Sequence, residues 1–183
     1  EIVMNEYAEV GAVCDTVQER ADELAKQYNT TAYTDYKKLI ADPSLDAVIV
    51  CTTNTTHASI TIEALQSGKH VLCEKPMAVS LEEAQAMIDT AERTGKMLFI
   101  AQNQRLAPAH IKAKQFLKSG MLGKVITFRS TFGHPGCEFW AIDKKKTWFF
   151  NKAITGFGCL GDLGVHKIDQ LRWMMEDEFI EVY

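Results

Sequence analysis

Asp46-Ala47-Val48-Ile49-Val50-Cys51-Thr52, running straight into Thr53-Asn54-Thr55-Thr56-His57, is the stretch on which the fold turns. Its apolar residues are continuous rather than alternating. That predicts a strand buried on both faces, as in a parallel sheet covered by helices. Residues 57–67 then read as a helix stopped by Gly68. Val71-Leu72-Cys73 is the next strand. Ser80 and Glu83, three apart, form a capping box for a helix that runs to about Thr94 and ends at Gly95. Met97-Leu98-Phe99-Ile100-Ala101 is a further strand. Upstream, Val10-Gly11-Ala12-Val13-Cys14-Asp15 is a short apolar run ending in an acid. Val17, Ala21, Leu24, Ala25 and Tyr28 then mark one face of a helix over 17–28. A second helix is expected over 35–41, with Asp35 as its N-cap. Strands separated by single helices predict a parallel sheet with right-handed crossovers.

The pattern changes near Pro108. A helix over 109–118 ends at Ser119-Gly120, and Lys124–Phe132 alternates with period two, as an antiparallel strand with one solvated face does. A loop with aromatic residues spans Gly133 to about Gly158, and a last helix covers roughly 159–175. The domain boundary is placed in the region 105–120, giving 1–107 and 108–183.

The 183 residues carry a net charge of −4, 46% apolar and 24% charged residues. No basic stripe suggests a nucleic-acid partner, and no apolar run is long enough to span a membrane. The five cysteines are odd in number and form no C-x-x-C pair. Cys14, Cys51 and Cys73 lie in apolar runs and read as small buried hydrophobes in a reducing compartment, which predicts a cytoplasmic protein. The first residue, Glu1, and the strand-like Phe179–Tyr183 read as cut ends of a longer chain.

Four places suit chemistry, each with a plainer structural reading. Asp15 ends a strand before a helix, where a dinucleotide fold uses an acid to bind ribose hydroxyls. A carboxylate there repels a 2′-phosphate and so favours NAD over NADP. It is equally a good helix N-cap. The turn Thr52-Thr53-Asn54-Thr55-Thr56-His57 lies beyond a strand's carboxyl end, where ligands of open parallel sheets bind, yet Thr and Asn also simply cap helices. Cys73-Glu74-Lys75-Pro76 has the same placement. A lysine against a substrate oxygen assists proton transfer, whereas a surface Glu-Lys pair does nothing chemical. Asp162 and His166, at i and i+4, share a helix face. Gly161 and Gly164 beside them weaken that helix by about 1 kcal/mol each, which suggests that a cofactor ring or substrate comes close. The plainer reading is a helix-stabilising Asp–His pair. His110 reads as an exposed helix residue and His70 as structural. His134 and Trp140 read either as the mouth of a substrate pocket or as packing.

Taken in order, Asp15, the T-x-N-x-x-H of Thr52, Asn54 and His57, the Glu74-Lys75-Pro76 triplet and Gly158-x-x-x-Asp162-x-Gly164-x-His166-x-x-Asp169 resemble the glucose–fructose oxidoreductase/inositol dehydrogenase (Gfo/Idh/MocA) family. Arg105-x-x-Pro108, the Gly120-x-x-Gly123 turn and Trp148-Phe149-Phe150 extend the match over nearly the whole chain. The resemblance implies an α/β fold: a Rossmann-type doubly wound parallel sheet, followed by the start of an α/β domain with a mostly antiparallel sheet. It implies NAD as cofactor, with Asp15, Thr52, Thr53, Asn54, His57, Glu74, Lys75, Gln102 and Arg105 toward it, and no metal. It implies a sugar or polyol substrate. His166 acts as general base, Lys75 steadies the developing alkoxide and Asp162 binds a substrate hydroxyl. It also implies a homo-oligomer built through the large C-terminal sheet.

Three departures stand out. The family's first strand and glycine-rich turn are absent, so the pyrophosphate lacks its usual helix N-terminus. Most of the C-terminal sheet is absent too. Phe157 stands where the family often has a third glycine. Rival readings are a non-catalytic NAD(P)-binding regulator of the same fold, an NAD-dependent glycosidase working by oxidation and elimination, and a metal-assisted hydrolase using His134, Cys137, Cys159, Asp162 and His166.

Overall fold

The computed structural model describes residues 5–183. It divides into two compact units. The first gathers the chain up to Val50 with Ala58–Cys73 and Glu82–Phe99, and the second gathers Cys51–His57, Glu74–Leu81 and Ile100–Tyr183.

The first unit alternates strand and helix. Its elements are β1 (Ala12–Cys14), α1 (Gln18–Tyr28), β2 (Thr31–Tyr33), α2 (Tyr36–Ile40), β3 (Ala47–Val50), α3 (His57–Gln66), β4 (His70–Cys73), α4 (Leu81–Thr94) and β5 (Leu98–Ile100). β1 pairs parallel with β2, Ala12 opposite Thr31. β3 pairs parallel with β4, Ala47 opposite His70, and β5 follows on the other edge of β4. The local signals explain the ends. Asp35 caps α2 by accepting the Lys37 N–H at 2.9 Å. Asn29 closes α1 in the left-handed region, and Gly68 and Gly95 turn at φ 82° and 66° after α3 and α4.

Between α2 and β4 lies a contact that no local pattern announces. Lys69, 6% exposed, spends its ammonium on the carbonyls of Asp42 (2.6 Å) and Leu45 (2.7 Å). It satisfies two turn carbonyls from inside, as a buried charge must.

Several expectations are corrected here. β2 was not anticipated; three residues are too few for a periodic signal. The strand around 46–52 is buried on one face only. Val48, Val50, Val71 and Cys73 are buried, while Ile49 is 44% and Leu72 36% exposed. A continuous apolar run is fully buried only when both faces of the sheet are covered, and among the described residues of this unit one face is open. Cys14 and Cys51 are exposed rather than core residues, Cys73 is buried, and none of the five forms a disulfide.

The second unit carries α5 (Pro108–Lys118), α6 (Lys152–Thr155) and α7 (Val165–Met175); a long irregular stretch with short helical turns joins α5 to α6. Pro108 opens α5 at its first helical position, where its missing N–H costs nothing. α5 packs on α7: the Lys114 ammonium sits 4.5 Å over the Trp173 ring and bonds Glu176 at 2.9 Å. The expected antiparallel strand over 124–132 is not formed among the described residues. Its alternation remains, but a strand exists only through ladder bonds to a neighbour, and none is present for it. The Lys75–Pro76 peptide is cis. No helix among the described residues is long and apolar enough to cross a membrane.

Candidate active site

The second unit brings four separated sequence motifs together. At their centre Lys75 Nζ donates to Asp162 Oδ1 at 2.7 Å and to the Asp162 carbonyl at 3.0 Å. Both side chains are only 18% exposed. Asp162 is presented by a π-helical turn, Leu160–Gly164, immediately before α7. Such turns widen the helix by one residue and often occur at functional sites. The wider turn also changes the expected Asp162/His166 pairing. The carboxylate bonds to Lys75 and lies 3.4 Å from His134 Nε2, and it makes no hydrogen bond to His166. The glycines of this turn accommodate the chain's own side chains. A Cβ on Gly161 would stand 3.1 Å from Phe157 Cβ, and one on Gly164 2.6 Å from the Leu160 tip.

His166 is 7% exposed, and its Nδ1 is buried with no hydrogen-bond partner. Burial pushes its pKa below the usual imidazole value. The Lys75 charge adds to this, the Asp162 and Glu74 carboxylates oppose it, and the Lys167 charge lowers it further. His166 is therefore held neutral at physiological pH, which is the state of a proton acceptor. Phe132 meets its ring edge-on at 5.8 Å. The same phenyl ring lies 5.1 Å beneath the Lys167 ammonium. Lys167 bonds Gln104 at 2.7 Å and Gln170 at 2.8 Å, and burial lowers its pKa.

The polar turn after β3 is a scaffold for this site. His57 is 1% exposed, with Nδ1 2.7 Å from the Pro76 carbonyl and Nε2 3.1 Å from the Thr52 carbonyl. It links the Thr52 turn to the Lys75–Pro76 turn through its two ring nitrogens. Asn54, 6% exposed, donates to the Thr155 carbonyl at 2.9 Å. Thr52 accepts from the Thr56 hydroxyl at 2.8 Å, and that hydroxyl faces Thr53 Oγ1 at 3.4 Å. Glu74 accepts the Lys75 N–H at 3.1 Å.

Arg105, expected toward the cofactor, is paired within the second unit. Its guanidinium forks onto the Asp169 carboxylate, Nε to Oδ2 at 2.8 Å and a terminal nitrogen to Oδ1, so it joins the turn after β5 to α7. Gln102 keeps a buried Oε1 with no partner. In the first unit, Asp15 follows β1 and accepts the Val17 N–H at 2.8 Å. It thus shapes the start of α1 while its second oxygen stays uninvolved in that turn.

Phe149, Phe150, Lys152, Thr155, Gly156, Phe157 and Gly158 line an open cavity of about 430 Å³. Gly156 is required here: its φ is 73°, and a Cβ would stand 3.1 Å from Val79 Cγ1. Phe157, half exposed, forms part of the wall of this cavity. Sequence grouped His134 with Asp162 only as possible metal ligands; their direct contact has no local signal, since the two lie 28 residues apart. Among the described residues, no three His, Cys, Asp or Glu side chains are gathered as metal ligands.

Residues 2–102 match a family described as an oxidoreductase family with an NAD-binding Rossmann fold. Residues 110–183 match the GFO/IDH/MocA C-terminal domain. The chain is 34% identical over 168 residues to levoglucosan dehydrogenase of Pseudarthrobacter phenanthrenivorans, covering 89% of this chain and 42% of that protein. It is 30% identical to myo-inositol 2-dehydrogenase of Thermotoga maritima, covering 94% and 49%. A solved levoglucosan dehydrogenase in complex with NADH and levoglucosan superposes with a TM-score of 0.83 at 32% identity, over 91% of this chain and 45% of that one. An aldose-aldose oxidoreductase from Caulobacter crescentus, complexed with glycerol, gives 0.80 at 28% identity, over 97% and 52%. The chain thus spans about half the length of the curated relatives it matches. With a Rossmann part and the beginning of the matching C-terminal domain both present, the chain belongs to the Gfo/Idh/MocA family of oxidoreductases.

Proposed function

We propose that the protein to which this chain belongs is an NAD-dependent dehydrogenase that moves a hydride between nicotinamide and a CH–OH carbon of a sugar or polyol. The observation that carries the proposal is the Lys75–Asp162 ion pair in the same unit as His166, an imidazole kept neutral by burial. NAD, when bound, supplies the hydride acceptor. The chain's own residues supply the rest. His166 takes the hydroxyl proton on its imidazole as the C–H bond breaks, and its lowered pKa keeps it ready to do so at neutral pH. The Lys75 ammonium, anchored on Asp162, faces the oxygen as negative charge grows on it. Asp162 orients Lys75 and accepts a hydrogen bond from a substrate hydroxyl.

One residue on the proposed cofactor side has unmet hydrogen-bonding capacity. The buried, unpartnered Gln102 Oε1 is an acceptor fit for a carboxamide N–H. Asp15 is a carboxylate fit for ribose hydroxyls, which favours NAD over NADP. Thr52, Thr53 and Glu74 complete the proposed cofactor side, with Asn54, His57 and Arg105 holding its frame. We place the domain division at 107/108. Five cysteines without a disulfide among them suit a cytoplasmic protein. The family reading further carries a homo-oligomer formed through the C-terminal sheet.

The test is NADH absorbance with the full-length gene product and NAD⁺ across inositols, aldoses and sugar acids, with Lys75→Ala and His166→Ala alongside. NADH formation that both substitutions abolish supports the reading. Tight NAD⁺ binding with no NADH from any substrate replaces it with the regulator or the oxidise-and-eliminate glycosidase.

A further inference from the structure

A base histidine is ordinarily aimed by the hydrogen bond that its second ring nitrogen makes. His166 has no such bond at Nδ1, which is buried and without a partner. An aromatic contact stands in its place. Phe132 meets the imidazole with ring centroids 5.8 Å apart and planes at 76°. Aromatic pairs of this geometry are attractive and directional. Yet Phe132 is 41% exposed, and its segment forms no strand among the described residues. Neither burial nor backbone pairing fixes the phenyl ring.

Lys167 does. Its Nζ lies 5.1 Å from the centroid of the Phe132 ring. It donates to Gln104 Oε1 at 2.7 Å and to Gln170 Oε1 at 2.8 Å. An ammonium only donates, so both amides turn their oxygens to it. Gln170 is 3% exposed on α7, and Gln104 lies in the helical turn Asn103–Leu106. The two amides fix where the cation stands, and the cation attracts the ring face. A carboxylate at this ammonium would compete with the ring for its charge. Among the described residues its hydrogen-bond partners are neutral amides instead.

We infer that Lys167 is a positioning residue for the base: held by Gln104 and Gln170, it pins the Phe132 ring, and that ring aims the His166 imidazole. The inference rests on the dehydrogenase reading and deepens it. In this role Lys167 touches neither substrate nor cofactor. The charged groups acting on His166 itself are Lys75, Asp162 and Glu74 as well as Lys167. A direct effect of the Lys167 charge must therefore be separated from one passed through the ring.

The test uses the full-length protein with NAD⁺ and either myo-inositol or glucose as probe. Lys167→Met lowers kcat about tenfold, the size that loss of a partly desolvated cation–π contact allows. KM for the sugar and NADH affinity stay within about twofold of the parent. Lys167→Arg keeps a cation over the ring and recovers most of the loss. In a Phe132→Leu background, Lys167→Met costs less than about twofold more, because the ring that carries its effect is already gone. If Lys167→Met does not fold, Lys167→Gln replaces it. A Met variant within about twofold of the parent, an Arg variant no better than Met, or a full tenfold further loss in the Phe132→Leu background overturns the inference. A parent that reduces no NAD⁺ defeats the dehydrogenase reading, and NMR of the imidazole C–H groups then judges the ring contact separately. At alkaline pH, where the imidazole is neutral, Lys167→Met moves the His166 signals in the direction that Phe132→Leu moves them, and Lys167→Arg leaves them near the parent's. His166 signals unmoved by Lys167→Met, or moved equally with and without Phe132, overturn it.

Discussion

Removing the Asp162 carboxylate by Asp162→Asn isolates the ion pair at the centre of the site. The two charges stand 2.7 Å apart, each side chain 18% exposed. At an effective dielectric of about 20 their attraction is about 6 kcal/mol before desolvation is subtracted. Exposed pairs net about 0–1 kcal/mol, and breaking a buried pair costs about 3–5. A pair this little exposed falls between, so the substitution costs about 2 kcal/mol. Lys75 then keeps the residue-162 backbone carbonyl at 3.0 Å and, at best, a neutral amide oxygen in place of the charged carboxylate. Lys75→Met costs a similar amount. The double variant loses less than the sum, because each single change leaves the other charge without its ion-pair partner. Urea unfolding of the full chain at pH 8, followed by tryptophan fluorescence, measures the cycle. A coupling energy of about 2 kcal/mol is expected. A coupling below about 0.5 kcal/mol would show that the two groups do not hold each other, and the account of Lys75 as an anchored cation would fail.

Three further outcomes follow from the same geometry. The His166 imidazole titrates below its ordinary value because of burial and the Lys75 charge. In NMR titrations Lys75→Met moves it up and Asp162→Asn moves it down; equal or reversed shifts contradict the placement. The folded pKa is depressed, so His166's contribution to stability is complete above about pH 6.5, the unfolded value. It falls as pH drops below that, where the unfolded imidazole takes a proton that the folded one refuses. Lys69→Met strands the Asp42 and Leu45 carbonyls and lowers stability by about 2 kcal/mol in urea melts. Gly156→Ala meets both a left-handed φ and the Val79 methyl, and lowers the thermal midpoint by an amount corresponding to about 1–3 kcal/mol.

Much of the fold is written in local chemistry. Asp35 caps α2, and Gly68 and Gly95 stop α3 and α4, because a short side chain or a positive φ is needed at those places whatever the rest of the chain does. The site is less local. Asn54 reaches Thr155 across 101 residues and Arg105 reaches Asp169 across 64. Motif order named these residues, but only the folded chain shows that Asn54 bonds Thr155, His57 bonds the Pro76 and Thr52 carbonyls and Arg105 pairs with Asp169. The π-helical turn was invisible because Asp162 and His166 at i and i+4 also fit an ordinary helix. The segment 124–132 shows the converse case: its alternation is real, but pairing is a property of two strands, and one strand's pattern does not supply the other.

The most direct measurement follows the hydrogen itself. The substrate identified by the NADH panel is prepared with deuterium on its carbinol carbons, and the reduced cofactor is analysed by mass spectrometry. The account predicts one deuterium carried into each NADH by the parent and no labelled cofactor from His166→Ala. NADH formed without the label, or label released to solvent while the cofactor returns oxidised, would contradict direct hydride transfer as this site's chemistry.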